Sequence, residues 1–386
     1  MLLESIHVRN LLSFGPDSEV LPLKPLNVLI GPNGSGKSNL VDVIGLLRSA
    51  SKELAGWVRQ SGGIRDWLWK GAKSPEAYID ATITNPGHPM PLRHVLEFTE
   101  VAQRFELVDE RVENAKPHPR EKDVYFYYRY QRGNPTLNVK NVRRQLQREN
   151  VNLDESILSQ RRDPEQYPEI TYLAQAFEQI EIYREWSFGR SNVVRWPQKS
   201  DQKNDSLSED LLNLGLVLNQ LRQDPPVKRR LLERLSNLYP GIDDFEINIE
   251  GGTVQIFMHE GNFAIPATRL SDGTLRYLCL LAVLCHPNPP PLVCIEEPEL
   301  GLHPDIIPQI AELLIEASER TQLIVTTHSD ALVDGFSDEC ESVVVCEKEH
   351  GCTSMRRLGG EELRGWLEQY TLGELWRKGE IGGNRW

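Results

Sequence analysis

In GPNGSGKSNLVDVI, residues 31–44, the residues Gly31, Gly36, Lys37 and Ser38 stand at the spacing G-x-x-x-x-G-K-[ST], with Gly34 a further glycine between them. Glycine lets a backbone turn tightly and approach an anion closely. Such a turn, followed by a helix N-terminus, surrounds phosphate oxygens with N–H donors. The stretch Gly31, Asn33, Gly34, Ser35, Gly36, Lys37, Ser38 and Asn39 is therefore a candidate nucleotide-binding loop. Lys37 reaches the outer phosphates of a nucleoside triphosphate, and the Ser38 hydroxyl suits Mg²⁺.

A second set of groups lies far along the chain. In LVCIEEPELGLHP, residues 292–304, Glu296 and Glu297 follow four apolar residues. A buried strand there would deliver both carboxylates at its end. They can divide two tasks, Glu296 holding metal through water and Glu297 orienting or deprotonating an attacking water. TTHS places His328 at the end of the next apolar run, where its ring can bond a γ-phosphate or the attacking water. LSDGTLRYLCLLAVL, from Leu270, is a polar turn feeding an apolar helix. Ser271 can cap that helix and Gly273 keeps the backbone close to an anion, a second phosphate-binding device. One nucleotide core does not need two cradles, so a second protomer is the natural source of the Ser271 turn.

These groups need elements to hold them. Leu26–Ile30 reads as a buried strand before the loop, and Asn39 to about Val58 as one helix after it. YIDATIT, HVLEFTEVAQRFELV and DVYFYYRYQ favour strands by β-branched and aromatic content, arranged antiparallel beside the nucleotide core. Residues 140–240 read as a mainly helical insert, on the periodicity of EDLLNLGLVLNQL and VKRRLLERLSNLY. The strand–helix alternation from FEINIEGG to TQLIVTTHS indicates α/β architecture. The expected organisation is an N-terminal lobe over 1–110, a β extension over 111–139, the insert, a C-terminal lobe over 241–350 and a tail over 351–386.

Composition narrows the rest. The chain has 386 residues, 39% hydrophobic, with a formal net charge of -13. That excludes a uniformly basic nucleic-acid surface but leaves room for a local one. Arg143, Arg144, Arg148, Arg161 and Arg162 form a basic subset suited to nucleic acid or to a solvated helix face. The six cysteines include no C-x-x-C pair, which argues against a zinc ribbon, and Cys279, Cys285 and Cys294 lie in apolar runs. MLLESIHVRN lacks a signal peptide's basic start and apolar segment, and no apolar run has membrane-spanning length. The cytoplasm is the expected location. In the tail, Leu363, Leu367 and several tryptophans suit packing back on the head, while Trp376 and Trp386 suit a partner instead.

Taken together, GPNGSGKS, LSDGT, IEEPELGLHP and TTHS resemble the ABC-type ATPase heads of the SMC, Rad50, RecF and OLD group, and within it the compact AAA_21-like ATPases. The expected fold is an α/β ABC-type P-loop head with an antiparallel β subregion and the mainly helical insert. The resemblance implies ATP and Mg²⁺ as cofactors, Glu297 as catalytic acid, Gly301–Asp305 as a dimer-facing loop, and an ATP-dependent homodimer that acts on nucleic acid or an effector protein, in DNA repair or antiphage defence. LSDGT stands where many transporter heads have LSGGQ, Glu296 where many ABC proteins have aspartate, and His303 departs from an aspartate common near that turn. Gln60 is the candidate for the family's lid glutamine. A nonhydrolysing regulatory head and a transporter-associated ATPase are the alternatives. Against a full SMC protein stands the lack of long heptad runs, and against an OLD nuclease the mere 58 residues after His328.

Overall fold

The computed structural model describes residues 1–386 except 74, 132, 140–141, 147–150, 185, 187 and 384–386. The chain folds as an α/β protein in two compact units. The first comprises Met1–Ile180, Glu341–Glu362 and Gly379–Trp386, the second Glu181–Cys340 and Leu363–Lys378.

An antiparallel sheet of eight strands dominates the first unit. Its order is Leu21–Pro22, Leu3–Arg9, Ala77–Ile83, Leu92–Val101, Arg104–Asn114, Phe126–Gln131, Asn134–Val139 and Val142–Gln145. The hairpin between Val101 and Arg104 turns on Ala102 and Gln103, both at positive φ (50° and 66°), the geometry that matches strand twist in a two-residue loop. Separately, the wholly buried strand Leu26–Ile30 pairs in parallel with Val343–Glu349, which pairs antiparallel with Cys352–Arg357. The expected break at 350/351 falls in the turn of that hairpin, and the one at 110/111 falls inside strand Arg104–Asn114.

The helix after Leu26–Ile30 starts at Lys37 and ends at Ala50, with Leu40, Val41, Val43, Ile44, Leu46 and Leu47 buried. It does not run on to Val58. Ser51 Oγ donates to Arg48 O at 2.7 Å, and a new helix, Leu54–Gln60, begins where the Leu54 amide donates to the Glu155 carboxylate at 3.0 Å. A tertiary acceptor thus replaces the i−4 carbonyl that a continuous helix would have used.

In the second unit, Glu181–Tyr183, Leu292–Glu296 and Gln322–Thr326 form a parallel set with Leu292–Glu296 in the middle. Parallel strands are covered on both faces, which accounts for their unbroken apolar runs. Asp272–Leu284 is buried from Leu275 to Leu284. A smaller antiparallel sheet holds Gln198–Lys199, Asp244–Glu250, Thr253–Glu260 and Phe263–Pro266.

Residues 140–240 carry the helices Ile157–Gln160, Pro168–Glu178, Leu214–Leu221 and Pro225–Leu238. They also carry the strands Val142–Gln145, Glu181–Tyr183 and Gln198–Lys199. Sequence periodicity misses these because each strand is too short to show its period. The unit boundary, between Ile180 and Glu181, falls inside this region. Cys279, Cys285 and Cys294 are buried core thiols, as their apolar runs suggest, and burial pushes Cys285 up to about 11. In the tail Leu363 and Trp376 are buried, while Trp366 is exposed and Trp386 lies outside the described residues. Among the described residues, no helix is long and apolar enough to cross a membrane.

Candidate nucleotide site and catalytic loop

In the first unit, Gly31 leaves the end of the Leu26–Ile30 strand at φ 147°, so close to the next chain segment that a Cβ there would lie 2.1 Å from Cys346 O. Only glycine fits. Asn33 and Gly34 are exposed at the tip, and Ser35 is buried. Gly36 caps the Lys37–Ala50 helix in the left-handed region, at φ 101° and ψ 10°, without a side-chain cap. No acidic residue stands in the first turn. The helix therefore presents its first amides and the positive end of its dipole with no side-chain anion of its own in place, which favours an external one.

Lys37 is buried, and its Nζ donates to Gly31 O at 2.8 Å and Pro32 O at 3.1 Å, arching back across the loop. Ser38 is exposed. Asn39 Nδ2 donates to Ser13 Oγ at 2.6 Å, so this side chain braces the loop from outside. Gln60, the lid candidate, is exposed at the last residue of its helix.

The second unit gathers the acidic and histidine motifs. Glu296 ends the central strand, with Arg184 Nε 3.8 Å from its Oε1. Glu297 then turns the chain at φ 47°, a left-handed conformation uncommon for a residue with a Cβ. Its amide donates to Thr326 O at 2.9 Å, and its carbonyl accepts from Leu300 N at 3.1 Å. These bonds hold the strained turn and aim its carboxylate: Glu297 Oε1 lies 3.7 Å from His328 Nε2. The structure thus brings Glu297 and His328 together.

Two further residues hold this pair. Glu299 Oε1 accepts from Thr327 Oγ1 at 2.5 Å and from His328 N at 3.2 Å, tying the acidic loop to the TTHS turn. Its Oε2 is buried without a hydrogen-bond partner, and burial holds this carboxyl above the usual range against the opposing pull of those bonds. Arg276, in the helix after LSDGT, donates to Trp186 O at 2.7 Å and Glu297 O at 3.4 Å, with Phe188 5.3 Å from its guanidinium. Sequence reasoning passed over both. Glu299 was visible as a third carboxylate in EEPE; Arg276 carries no local signal, because its partners lie far away in sequence.

Ser271 caps the Asp272–Leu284 helix, its Oγ accepting from Thr274 N at 3.0 Å. Gly273 lies close to the loop after Glu297, where an added Cβ would come 3.3 Å from Gly301 O. Arg195 braces the turn from behind, donating to Leu270 O at 2.6 Å and to the Asp272 carboxylate. His303 is exposed and caps the Pro304–Ile306 turn, its Nδ1 accepting from Asp305 N at 3.4 Å, a local structural use.

A family model described as "AAA domain, putative AbiEii toxin, Type IV TA system" matches residues 26–334, a span holding the phosphate loop, LSDGT, IEEPELGLHP and TTHS. The chain belongs to this AAA_21 family. Among solved structures, the AAA_21 chain is similar to an Smc head bound to the C-winged helix domain of ScpA, with a TM-score of 0.54 at 16% identity over 94% of this chain and 99% of that one. It is similar also to a Pyrococcus furiosus Smc head with an extended coiled coil bound to the C-terminal domain of ScpA, with a TM-score of 0.53 at 15% identity over 96% and 99% of the two chains. At these identities the likeness is one of fold: this AAA_21 protein has the ABC-type ATPase head fold of the SMC group. It is 36% identical over 74 residues to the phosphate import ATP-binding protein PstB of Malacoplasma penetrans, a stretch covering 19% of this chain and 25% of that protein. Family and fold are those of ATPases.

Proposed function

We propose that this protein binds ATP through the Gly31–Asn39 loop and hydrolyses it, using closure and separation of two heads to control a nucleic acid or protein partner. The observation that supports it most is the phosphate loop itself: glycines at positive φ, an uncapped helix start, and a buried lysine arched across the turn. Lys37 would move from the loop carbonyls onto the outer phosphates. Glu297 would orient the attacking water and take its proton, and His328 would bond the γ-phosphate or that water.

Ser38 offers an exposed hydroxyl and Glu296 a carboxylate at a strand end, oxygen donors of the type Mg²⁺ prefers. When bound, the ion would neutralise charge on the phosphates. Ser271 and Gly273 would clasp the γ-phosphate of a nucleotide carried by a second copy. DNA repair and antiphage defence are the settings the family resemblance suggests, in the cytoplasm.

The test is phosphate release and ATP binding by the pure protein with and without Mg²⁺, beside Lys37→Ala. Mg²⁺-dependent turnover that the substitution abolishes, with weakened binding, is expected. Binding and turnover unchanged in Lys37→Ala would overturn the assignment. Stoichiometric binding without turnover would favour a regulatory head.

A further inference from the structure

Four residues from distant parts of the first unit meet behind the phosphate loop. Ser13 Oγ lies 2.6 Å from Asn39 Nδ2 and 2.6 Å from Thr353 Oγ1, and Thr353 Oγ1 lies 2.9 Å from Ser35 O. The Thr353 amide also donates to Ser13 O at 2.8 Å. Thr353 is 4% exposed.

The donors fix the direction of this chain. An amide NH₂ only donates, a carbonyl only accepts, and each hydroxyl has one proton. The Ser35 carbonyl needs the Thr353 proton, so Thr353 cannot also donate to Ser13. Ser13 therefore donates to Thr353 Oγ1 and accepts from Asn39. The order is Asn39 Nδ2–H to Ser13 Oγ–H to Thr353 Oγ1–H to Ser35 O. Every proton is used once, and such chains strengthen their members.

Both ends of the relay lie in the candidate loop segment. Ser35 precedes the left-handed Gly36, and Asn39 sits in the first turn of the helix. The packing is so close that a Cβ on Gly36 would lie 2.2 Å from Thr353 Oγ1 and 2.8 Å from Ser13 Oγ. Gly36 thus answers to two demands, its positive φ and the approach of these hydroxyls.

We propose that Thr353 and Ser13 are positioning residues for the phosphate loop: they hold the Ser35 carbonyl towards the buried Thr353 behind the loop, so that the Gly36 and Lys37 amides are already turned towards a phosphate before one arrives. Neither side chain touches nucleotide. A pre-shaped loop binds more tightly because less ordering remains to be done on binding. The inference rests on the ATP-binding reading for its functional consequence, while its structural content can be tested without nucleotide.

The experiment compares Thr353→Val, Thr353→Ser and Ser13→Ala with the unaltered protein, by amide hydrogen exchange over residues 34–38 without nucleotide and by ATP affinity. Valine keeps the shape and loses the hydroxyl. Thr353→Val and Ser13→Ala each remove two bonds of the relay and are expected to speed exchange in that segment and to weaken ATP binding by about tenfold, the net scale of a lost buried hydrogen bond. Thr353→Ser is expected to restore both. Turnover at saturating ATP is expected to stay within about twofold, since catalytic groups lie elsewhere. Exchange unchanged in both Thr353→Val and Ser13→Ala overturns the relay, as does a serine variant that behaves like valine. Failure of the unaltered protein to bind ATP overturns the nucleotide reading instead, and the exchange data still decide the relay. Should Thr353→Val fail to fold, Ser13→Ala breaks the same chain from its other side.

Discussion

His328 Nε2 lies 3.7 Å from Glu297 Oε1, and the backbone of each residue is fixed by a different neighbour: Arg276 donates to the Glu297 carbonyl, and Glu299 accepts from the His328 amide. The distance is longer than a direct hydrogen bond and leaves the two groups facing one locus. Under the proposed hydrolysis they act on the same water or phosphate oxygen. His328→Ala is therefore expected to lower kcat by about 10²-fold, the scale of a positioned proton-transfer or charge-stabilising group, with ATP affinity nearly unchanged. Single-turnover phosphate release beside equilibrium binding checks it. A loss confined to affinity would remove His328 from the chemistry.

Glu299 predicts a pH signature. Burial raises its carboxyl above the ordinary range, so the folded protein keeps that proton to higher pH than the unfolded chain. The stability this gives is present below the unfolded value of about 4.3 and is lost as pH rises through the folded value. Glu299→Gln lacks this dependence, and its carbonyl can still accept from Thr327 and His328. The variant's stability relative to the native protein is expected to rise with pH from about 4 and level off once pH passes the raised folded value. Urea unfolding across a pH series measures this; a difference independent of pH contradicts it.

Arg276 is buried among Trp186, Phe188 and two carbonyls, and burial lowers its pKa. Arg276→Gln leaves carbonyls unsatisfied and is expected to cost about 1–3 kcal/mol of stability. It should also slow turnover more than it weakens ATP binding, because the Glu297 turn loses a brace. Thermal unfolding together with a comparison of kcat and affinity decides the matter; a stability loss with normal turnover would make Arg276 purely structural.

The basic subset divides by environment. Arg162 is engaged internally, bonding Glu178 at 3.1 Å and the Ser51 carbonyl, and Arg161 donates to Gln160 O at 3.1 Å. Arg143 and Arg144 lie on Val142–Gln145, the end strand of the large sheet, rather than on a helix. Arg148 lies outside the described residues. Under the nucleic-acid branch of the proposal, replacing Arg143, Arg144 and Arg148 by glutamine is expected to weaken DNA or RNA binding and flatten its salt dependence. On a duplex the slope should fall by about 0.9 for each phosphate that is no longer neutralised. Binding titrations across a salt series with ATP present would show this. No binding by the native protein to either nucleic acid would leave a protein partner.

Much of this was legible where chemistry is local. The turn and helix start of the candidate phosphate loop show themselves through spacing, since Gly31, Gly36, Lys37 and Ser38 are neighbours in sequence. Glu296 and His328 were placed by apolar runs, which do become the buried strands Leu292–Glu296 and Gln322–Thr326. Bracing residues were not legible. Thr353 meets Ser13 across 340 positions, and Arg276 meets Trp186 across 90, so nothing beside them in sequence announces the partner. The break at Ser51 was hidden likewise, because the Glu155 carboxylate that receives the Leu54 amide comes from 101 residues away.

The dimer reading has the most demanding test. Ser271 caps its own helix through Oγ, while Gly273 lies against the loop after Glu297, where an added Cβ would come 3.3 Å from Gly301 O. Glu297→Gln keeps the size of the side chain proposed to activate water and removes its charge. It should leave Lys37 and the loop intact, so ATP binds but is not cleaved, and a long-lived dimer is expected in light scattering. Adding Ser271→Arg places a bulky cation at the expected seam and should abolish that dimer while an open monomer still binds ATP. Nucleotide affinity and hydrolysis are measured alongside mass, because loss of the dimer through loss of binding would say nothing of geometry. Cross-linking from a cysteine at position 271 of one copy to the phosphate loop of another separates this interface from any dimer made through other surfaces. An ATP-bound dimer that gives this link in Glu297→Gln, yet persists when Ser271→Arg takes the place of the cysteine, would defeat the shared-nucleotide arrangement. So would failure of the folded Glu297→Gln protein to give the link, and hydrolysis would then belong to a single head.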